Sequence, residues 1–333
     1  MELLDYEKKH IDFLNKNACE SVLFLKKNLE FPLEKPCSIV LVGNGARQTI
    51  KGGTGSGDVA SRFFVNFETG LENKGFVITS KKWLDDYDIF KKSIYKNYVK
   101  HTIKEARKAH ILSAVYSMGY FDNEKDYDID VTTYNGDACV YILARNSGEG
   151  NDRRNIQGDI LLSNKEVEDI LFLNKKFKKF MLVLNVGGVV DLTPVIEVSN
   201  ILYISQLGVV TGNILPSILL GNINPSGKLS TTWAKIDNYP YFNEFGKQDE
   251  TYYKEGIYVG YRYFDSSKKD VYFPFGFGLS YTDFIINTIN FELMKTKVII
   301  NANVKNIGQY SGNEVVQVYL SSPQGKLHKV YQE

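Results

Sequence analysis

The feature that most constrains the fold is a regular alternation of short apolar runs with longer helical patterns. The apolar runs have the length and β-branched content of buried strands, and they lie at 38–43, 76–79, 139–144, 180–186 and 201–204. Apolar residues at helical spacing fill the intervals at about 83–108, 163–179 and 209–220. Strands that alternate with helices form a parallel sheet covered on both faces. The sequence therefore predicts an α/β sandwich.

The N-terminal segment, at about 4–30, is predicted to be a further helix. Its apolar residues recur at intervals of three and four, which places them on one helix face: Ile11, Leu14, Ala18, Val22 and Leu25. Another helix start is marked by Ser163, because Glu166 follows three residues later as in a capping box.

The pattern changes beyond the sandwich. Residues 237–284 are rich in Tyr, Phe, Gly and Pro, which is typical of a linker that packs against its neighbours. Short alternating runs at 298–304 and 314–320 then predict the first strands of an antiparallel β-sandwich. This part holds fewer than half of the roughly 100 residues of such a domain, so we expect it to be incomplete. The predicted division is 1–236, 237–284 and 285–333.

Composition and charge restrict the function classes. The formal net charge is +1, so no overall field favours nucleic acid or an anionic membrane. The sequence has no apolar stretch that could span a bilayer and no basic-then-apolar leader, and we expect a cytoplasmic protein. Its three Cys and four His show no metal-ligand or triad spacing, so neither a metal nor a cofactor is expected.

A glycine-rich loop, 51–58, follows the first apolar run with the sequence KGGTGSGD. Glycine lets a backbone adopt positive φ and approach a ligand closely. The loop departs from a P-loop because Lys51 precedes the glycines, and from a dinucleotide fingerprint because residues 44–51 separate the glycines from the strand. A surface loop that faces a cleft is the favoured interpretation, and nucleotide binding is a distant alternative.

A second loop follows the run at 139–144 and contains Glu149 between two glycines. Open parallel sheets bind ligands at the carboxyl ends of their strands. The glycines leave the Glu149 carboxylate unshielded, which fits either a functional group or an ordinary solvated charge. Arg145, Asp152 and Arg153 fit a salt-bridged loop anchor as well as groups that tune a catalytic residue.

Two further stretches have local explanations. Residues 219–229 have the pattern of a helix end, a Gly cap and an Asn-Pro-Ser-Gly turn. Residues 252–265 and 273–282 are dense in aromatic residues and Gly, which fits either a sugar-stacking surface or an irregular segment between domains. The chain has 22 Tyr and 20 Phe, but packing alone accounts for many of them.

Taken in order, five motifs resemble glycoside hydrolase family 3, the β-glucosidase-like family. They are KGGTGSGDV, SGEG-x-DR, GNINPSGKL, EGIYVGYRYFD and FPFGFGLSYT. The later segment NVKNIGQYSGNEVVQVYLSSPQGKL resembles the opening of the family's fibronectin type III-like domain. The resemblance covers about 18–333. It implies a six-stranded, mostly parallel sheet sandwiched between helices, followed by an incomplete antiparallel β-sandwich.

The resemblance also implies a retaining β-glycosidase that hydrolyses terminal β-linked sugars, with β-glucosides or oligosaccharides as substrates. In the family, the sandwich supplies the general acid/base, and that residue corresponds to Glu149 here. The glycine loop is expected near the cleft. The residues expected to bind substrate are Gly53, Thr54, Gly55, Ser56, Asp58 and Arg153.

The sequence departs from the usual family layout. No barrel precedes the sandwich, no Ser-Asp-Trp motif occurs, and Ser230 follows Leu229 where the family commonly has Pro. We therefore expect a permuted protein whose TIM-like barrel, with the nucleophile, lies downstream, and we expect this chain alone to be inactive. The alternative is a non-catalytic module that binds carbohydrate or a partner.

Overall fold

The structure is a computed structural model that describes residues 2–108, 124–147, 152–241, 250 and 252–333, with the side chain of Ser56 left out. The helices are α1 (Asp5–Asn17), α2 (Phe67–Asn73), α3 (Lys81–Lys108), α4 (Asn164–Lys176), α5 (Thr211–Leu219) and α6 (Tyr261–Ser267). The strands are β1 (Leu23–Lys26), β2 (Ser38–Val42), β3 (Val77–Ile78), β4 (Ala138–Arg145), β5 (Phe180–Val186), β6 (Ile201–Tyr203), β7 (Phe284–Leu293) and β8 (Val298–Asn306).

Six of these strands form one sheet in the order β1-β6-β5-β4-β2-β3. β1 is antiparallel to β6, and every other neighbouring pair is parallel. All residues of the two central strands, β4 and β5, are buried. Strands covered on both faces consist of continuous apolar runs, which is why the sequence signals them strongly. The predicted six-stranded, mostly parallel sheet is confirmed.

The predicted helix at 4–30 is wrong in its second half. α1 ends at Asn17, and β1 begins at Leu23 and pairs with β6. Val22 and Leu25, assigned to the apolar face of that helix, are fully buried beside and within the edge strand. Pairing with an open sheet edge outweighs helical spacing here, because strand formation depends more on neighbours than on the local sequence.

The segment after residue 284 contains an antiparallel pair, β7 and β8. β8 confirms the predicted strand at 298–304. The strand predicted at 314–320 is not formed, and Val315 and Val318 are 48% and 53% exposed. An alternating run becomes a strand only when a neighbouring strand takes up its hydrogen bonds. Among the described residues this run is paired at its last residue alone, where Leu320 exchanges two backbone hydrogen bonds with Glu333. The boundaries at 236 and 284 remain predictions.

The aromatic segment extends the sandwich at its edge. Phe24 of β1 and Leu279 exchange two backbone hydrogen bonds of 3.1 and 2.9 Å. A second bridge joins Trp233 to Phe273. The predicted helix end and Gly cap are confirmed, with Gly221 at φ +70° after the end of α5. The predicted Asn-Pro-Ser-Gly turn is not formed, and Ser226 N and Gly227 N instead donate to Cys19 O and Val22 O. In the part of the chain that the structure describes, no helix combines the length and apolar character needed to cross a bilayer.

One buried carboxylate in the sandwich gives stability a specific pH dependence. Asp169 of α4 accepts a hydrogen bond from the Tyr127 hydroxyl (2.8 Å) and lies 2.9 Å from Lys165 Nζ. Burial raises its pKa to about 6 despite these partners. The folded state therefore binds a proton at the Asp169 carboxyl more tightly than the unfolded chain does. As a result, the free energy of unfolding falls as pH rises from about 4 to above 6.

We expect Asp169→Asn to remove this dependence. The amide still accepts from Tyr127 but cannot ionise, so between pH 4 and 7 the variant should gain up to about 3 kcal/mol relative to the parent. Urea unfolding across that range measures the difference. Glu168→Gln is the matched control, because its carboxylate is on the same helix and 71% exposed. Parallel curves for Asp169→Asn and the parent would contradict the assignment.

Candidate active site

Loops from four parallel strands meet at the carboxyl ends of those strands. Asn185, buried in β5, binds two of these loops. Its side chain accepts from the backbone N of Ile50 (2.7 Å) and donates to the backbone O of Ile50 (3.0 Å) and of Ser205 (2.6 Å). Ile50 follows β2 and Ser205 follows β6. One amide therefore fixes two loops at the position where open α/β sheets bind ligands.

The glycine loop 51–58 is held at both ends. The backbone O of Lys51 accepts from Gly208 N (2.8 Å), and Lys51 Nζ lies 3.3 Å from Asp58 Oδ1. Gly55 has φ +72°, so at this position the expected use of positive φ is realised. Thr54, Gly55 and Asp58 are exposed, as residues that face an open cleft must be.

A cavity of about 480 Å³ lies against this loop. Of the residues predicted to bind substrate, Thr54 and Asp58 line it, and Lys51 and Asn146 add polar groups. Phe64 adds an apolar wall. Polar groups beside one aromatic ring form a surface that suits a small polar ligand.

The glycine loop also contacts the loop that follows β4. Thr54 N donates to the backbone O of Ser147 (3.4 Å), and Gln206 Nε2 donates to Asn146 Oδ1 (3.4 Å). Gly53 lies beside the backbone O of Ser147, since a Cβ at Gly53 would be 3.5 Å from that oxygen. Glu149 lies two residues beyond Ser147 and is outside the described residues. The structure therefore brings the glycine loop to the segment that precedes Glu149.

On the far side of Glu149, the chain is fixed by Asp159. Arg153 Nε donates to Asp159 Oδ1, and Arg154 N donates to Asp159 Oδ2 (2.6 Å). The side chains of Arg153 and Asp159 are 16% and 3% exposed. Burial lowers the pKa of Arg153, although Asp159 opposes the shift. These contacts favour a loop anchor over direct substrate contact for Arg153, whose substrate-binding role remains a prediction.

A buried ion pair, Arg145 with Glu166, contacts Asp159 and so holds the same loop. Arg145 Nη2 donates to Glu166 Oε2 (2.5 Å), and Arg145 Nε donates to the backbone O of Asp159 (2.8 Å). Ser163 N also donates to Glu166 Oε2 (2.8 Å), which confirms the predicted capping box. Burial lowers the pKa of Arg145, but attraction to Glu166 outweighs it and the net shift is upward.

A second buried carboxylate adjoins this pair. Glu124 accepts from the Tyr87 hydroxyl (2.7 Å) and from Asn44 Nδ2 (3.2 Å), and Lys91 Nζ lies 3.6 Å away. Burial raises the pKa of Glu124, and Lys91 partly offsets the shift. Glu124 N donates to the backbone O of Gly158 (2.7 Å), next to Asp159. Glu124 thus extends the loop support to helix α3.

The sequence does not single out several of these residues. Asn185 has a recognisable pattern, because it is the one polar residue in the apolar run FMLVLNV. Asn44 and Glu124 have none, since their pairing joins positions 80 residues apart. In the described ranges no group of three or more His, Cys, Asp or Glu could hold a metal ion.

Comparisons with known proteins agree with this architecture. Residues 21–281 match the model of the glycosyl hydrolase family 3 C-terminal domain. The chain is 32% identical to β-glucosidase A of Butyrivibrio fibrisolvens, over 98% of this chain and 43% of that protein. It is 33% identical to a β-glucosidase of Ruminococcus albus, over 96% of this chain and 33% of that protein.

A solved structure is similar throughout the chain. The β-glucosidase 3B of Thermotoga neapolitana superposes with a TM-score of 0.80 at 30% identity, and the match covers 98% of this chain and 46% of that one. The chain thus spans between a third and a half of the length of these relatives. Because the family model covers more than three quarters of the sequence, the chain belongs to glycosyl hydrolase family 3, in which it corresponds to the C-terminal domain.

Proposed function

We propose that this chain supplies the general acid/base half of the active site of a retaining β-glucosidase. The observation that carries the proposal is the contact between Thr54 N and Ser147 O, which joins the glycine loop and its cavity to the loop in which Glu149 lies. Relatives that match the chain over nearly its whole length are named β-glucosidases, which supports the substrate class.

The chemistry assigns distinct roles to two carboxyl groups. In retaining glycosidases they stand about 5–5.5 Å apart, and one attacks the sugar while the other protonates the leaving oxygen and later activates water. Glu149 is proposed for the second role. Its carboxyl must be protonated at the working pH, which requires partial burial or a neighbouring negative charge. The nucleophile provides that charge, and we propose that a barrel domain carries it.

The residues of the glycine loop are proposed to hold the substrate beside Glu149. Gly53 and Gly55 let the backbone approach a sugar ring, Thr54 and Ser56 offer hydroxyl groups, and Asp58 offers a carboxylate to sugar hydroxyls. The pair of Lys51 with Asp58 orients that carboxylate. No metal or cofactor has a step in this mechanism, because acid/base and nucleophilic carboxylates complete it.

The alternative is a non-catalytic module that binds carbohydrate. The exposed rings of Tyr252 and Tyr253 favour it, because aromatic faces stack on sugars. This alternative predicts saturable binding of cellobiose by the chain alone, and loss of that binding when both tyrosines are replaced by Ala.

The proposal is tested in the complete enzyme, meaning this chain joined to a part that supplies the nucleophile. That part is either the rest of the natural full-length protein or the portion of Thermotoga neapolitana β-glucosidase 3B that this chain does not match. The chain alone should not hydrolyse 4-nitrophenyl β-glucoside, because the covalent step lacks its nucleophile. The complete enzyme should hydrolyse the compound with retention of configuration.

The added part assayed alone is the control, and it should be inactive. Turnover by this chain alone that disappears in Glu149→Ala would contradict the division of the two carboxyl groups. A complete enzyme that is folded by circular dichroism but inactive would contradict the proposed function.

A further inference from the structure

We propose that Arg153 and Asp159 form a positioning pair that fixes the loop carrying Glu149, and that Arg153 acts through this pair rather than by touching the sugar. The inference rests on the proposed role of Glu149. Asp159 has no distinguishing pattern in the sequence, whereas Arg153 is expected from the sequence to bind substrate.

The pair holds the chain after Glu149, and the glycine loop holds it before Glu149. Ser147, two residues before Glu149, is held through its backbone O by Thr54 N. Arg153, four residues after Glu149, is held through its side chain by Asp159. Five residues thus run between two fixed points, and on this proposal each fixed point restricts the positions open to Glu149.

Asp159 itself accepts three hydrogen bonds. Its carboxylate accepts from Arg153 Nε and from Arg154 N (2.6 Å), and its backbone O accepts from Arg145 Nε (2.8 Å). Arg145 in turn is held by Glu166, which is buried at the start of α4. A buried carboxylate with several charge-assisted bonds is a rigid support, because breaking one bond leaves a charge without compensation.

Close packing also fixes the chain directly before Asp159. Gly158 precedes Asp159 with φ +79°, and a Cβ at this position would lie 1.8 Å from the backbone O of Glu124. The chain is therefore pressed against residue 124 directly before Asp159, and Glu124 N donates to Gly158 O (2.7 Å). The base of the loop is thus fixed both by packing and by charge.

One observation keeps direct substrate contact as a competing interpretation of Arg153. Its Nη2 is buried and has no hydrogen-bond partner among the residues that the structure describes. A substrate hydroxyl could accept from this nitrogen. The two roles differ in their kinetics, because loss of a ground-state contact raises KM, whereas displacement of a general acid lowers kcat for poor leaving groups.

The first test follows amide hydrogen exchange in this chain. Arg153→Gln should accelerate exchange in peptides that cover 152–161 by roughly tenfold, because the hydrogen bonds around Asp159 open more often. Peptides from β4 should be unchanged. Asp159→Asn should have the same effect, and the double variant should add little to either single change. Arg154→Gln is the matched control. Arg154 is the next residue and is exposed, and the variant keeps the hydrogen bond from the backbone N of residue 154 to Asp159 Oδ2.

The second test is kinetic and uses the complete enzyme. Arg153→Gln should lower kcat for cellobiose by about 10- to 100-fold with KM changed less than about threefold, because misplacement by about 1 Å has that effect on rate. Formation of the glycosyl-enzyme from 2,4-dinitrophenyl β-glucoside, measured as kcat/KM, should slow far less, because this leaving group departs without a proton. Arg153→Lys should recover part of the loss, because an ammonium group can still pair with Asp159 but lacks the planar fork.

Three results would overturn the inference. They are unchanged exchange in both variants, a rise in KM with kcat preserved, and an equal loss of kcat/KM for both leaving groups. Glu149→Ala separates this inference from the proposed function. If Glu149→Ala shows the leaving-group dependence and Arg153→Gln does not, only the positioning role fails. If Glu149→Ala lacks that dependence, the proposed function fails first.

Discussion

Glu149→Ala in the complete enzyme should slow hydrolysis of cellobiose by about 10²- to 10⁴-fold, the usual contribution of a general acid to a step with a poor leaving group. A dinitrophenol leaves without a proton, so formation of the glycosyl-enzyme from 2,4-dinitrophenyl β-glucoside should slow little. The second step loses its base in the variant, so the intermediate should accumulate. Burst kinetics with the dinitrophenyl substrate measure both effects.

The control for this prediction is the exposed carboxylate of Glu168, which lies on α4. Glu168→Ala should leave both substrates unaffected. If Glu149→Ala instead slows formation of the glycosyl-enzyme equally for the two leaving-group classes, Glu149 is an ordinary loop residue. Another carboxylate must then be the acid, with Asp58 and Glu255 the first to test.

The largest effect on stability is expected from Glu166→Ala. This change leaves the buried guanidinium of Arg145 without its carboxylate partner and also removes the capping box of α4. Removing one member of a buried ion pair typically costs about 3–5 kcal/mol of folding free energy. Urea unfolding, followed by the fluorescence of the two buried tryptophans Trp83 and Trp233, measures the loss.

Glu168→Ala is the matched control for stability as well, because the same helix carries both residues. Its carboxylate lies 3.4 Å from Lys165 Nζ on the surface, and exposed pairs contribute about 0–1 kcal/mol. Equal, small losses in the two variants would mean that water or a rearranged side chain compensates Arg145. The support assigned to the base of the Glu149 loop would then be wrong.

The sheet could be predicted from sequence because its parallel strands are continuous apolar runs. β4 and β5 are buried at every residue, so apolar side chains occupy both faces and the pattern is clear. β1 was missed because it is a four-residue antiparallel edge strand, whose surroundings also satisfied helical spacing. Its conformation depends on the distant strand β6, and no local pattern contains that information.

The candidate site was predictable only in part, for a similar reason. The glycine loop and the Glu149 loop are recognisable because each is contiguous in sequence. The residues that hold them are not contiguous, since Glu124 is 80 positions from Asn44 and Asn185 is 135 positions from Ile50. Arg153 was noticed, but its partner Asp159 is an unremarkable Asp until the fold brings the two together.

The central claim is that Glu149 is the acid/base on the β face of the sugar, and azide tests it most directly. In Glu149→Ala the vacated space admits a small anion that needs no base to attack the glycosyl-enzyme. Adding sodium azide to the variant of the complete enzyme should raise turnover of 2,4-dinitrophenyl β-glucoside. Nuclear magnetic resonance should identify the product as β-glucosyl azide. Turnover that azide leaves unchanged, with glucose as the sole product, would contradict the claim.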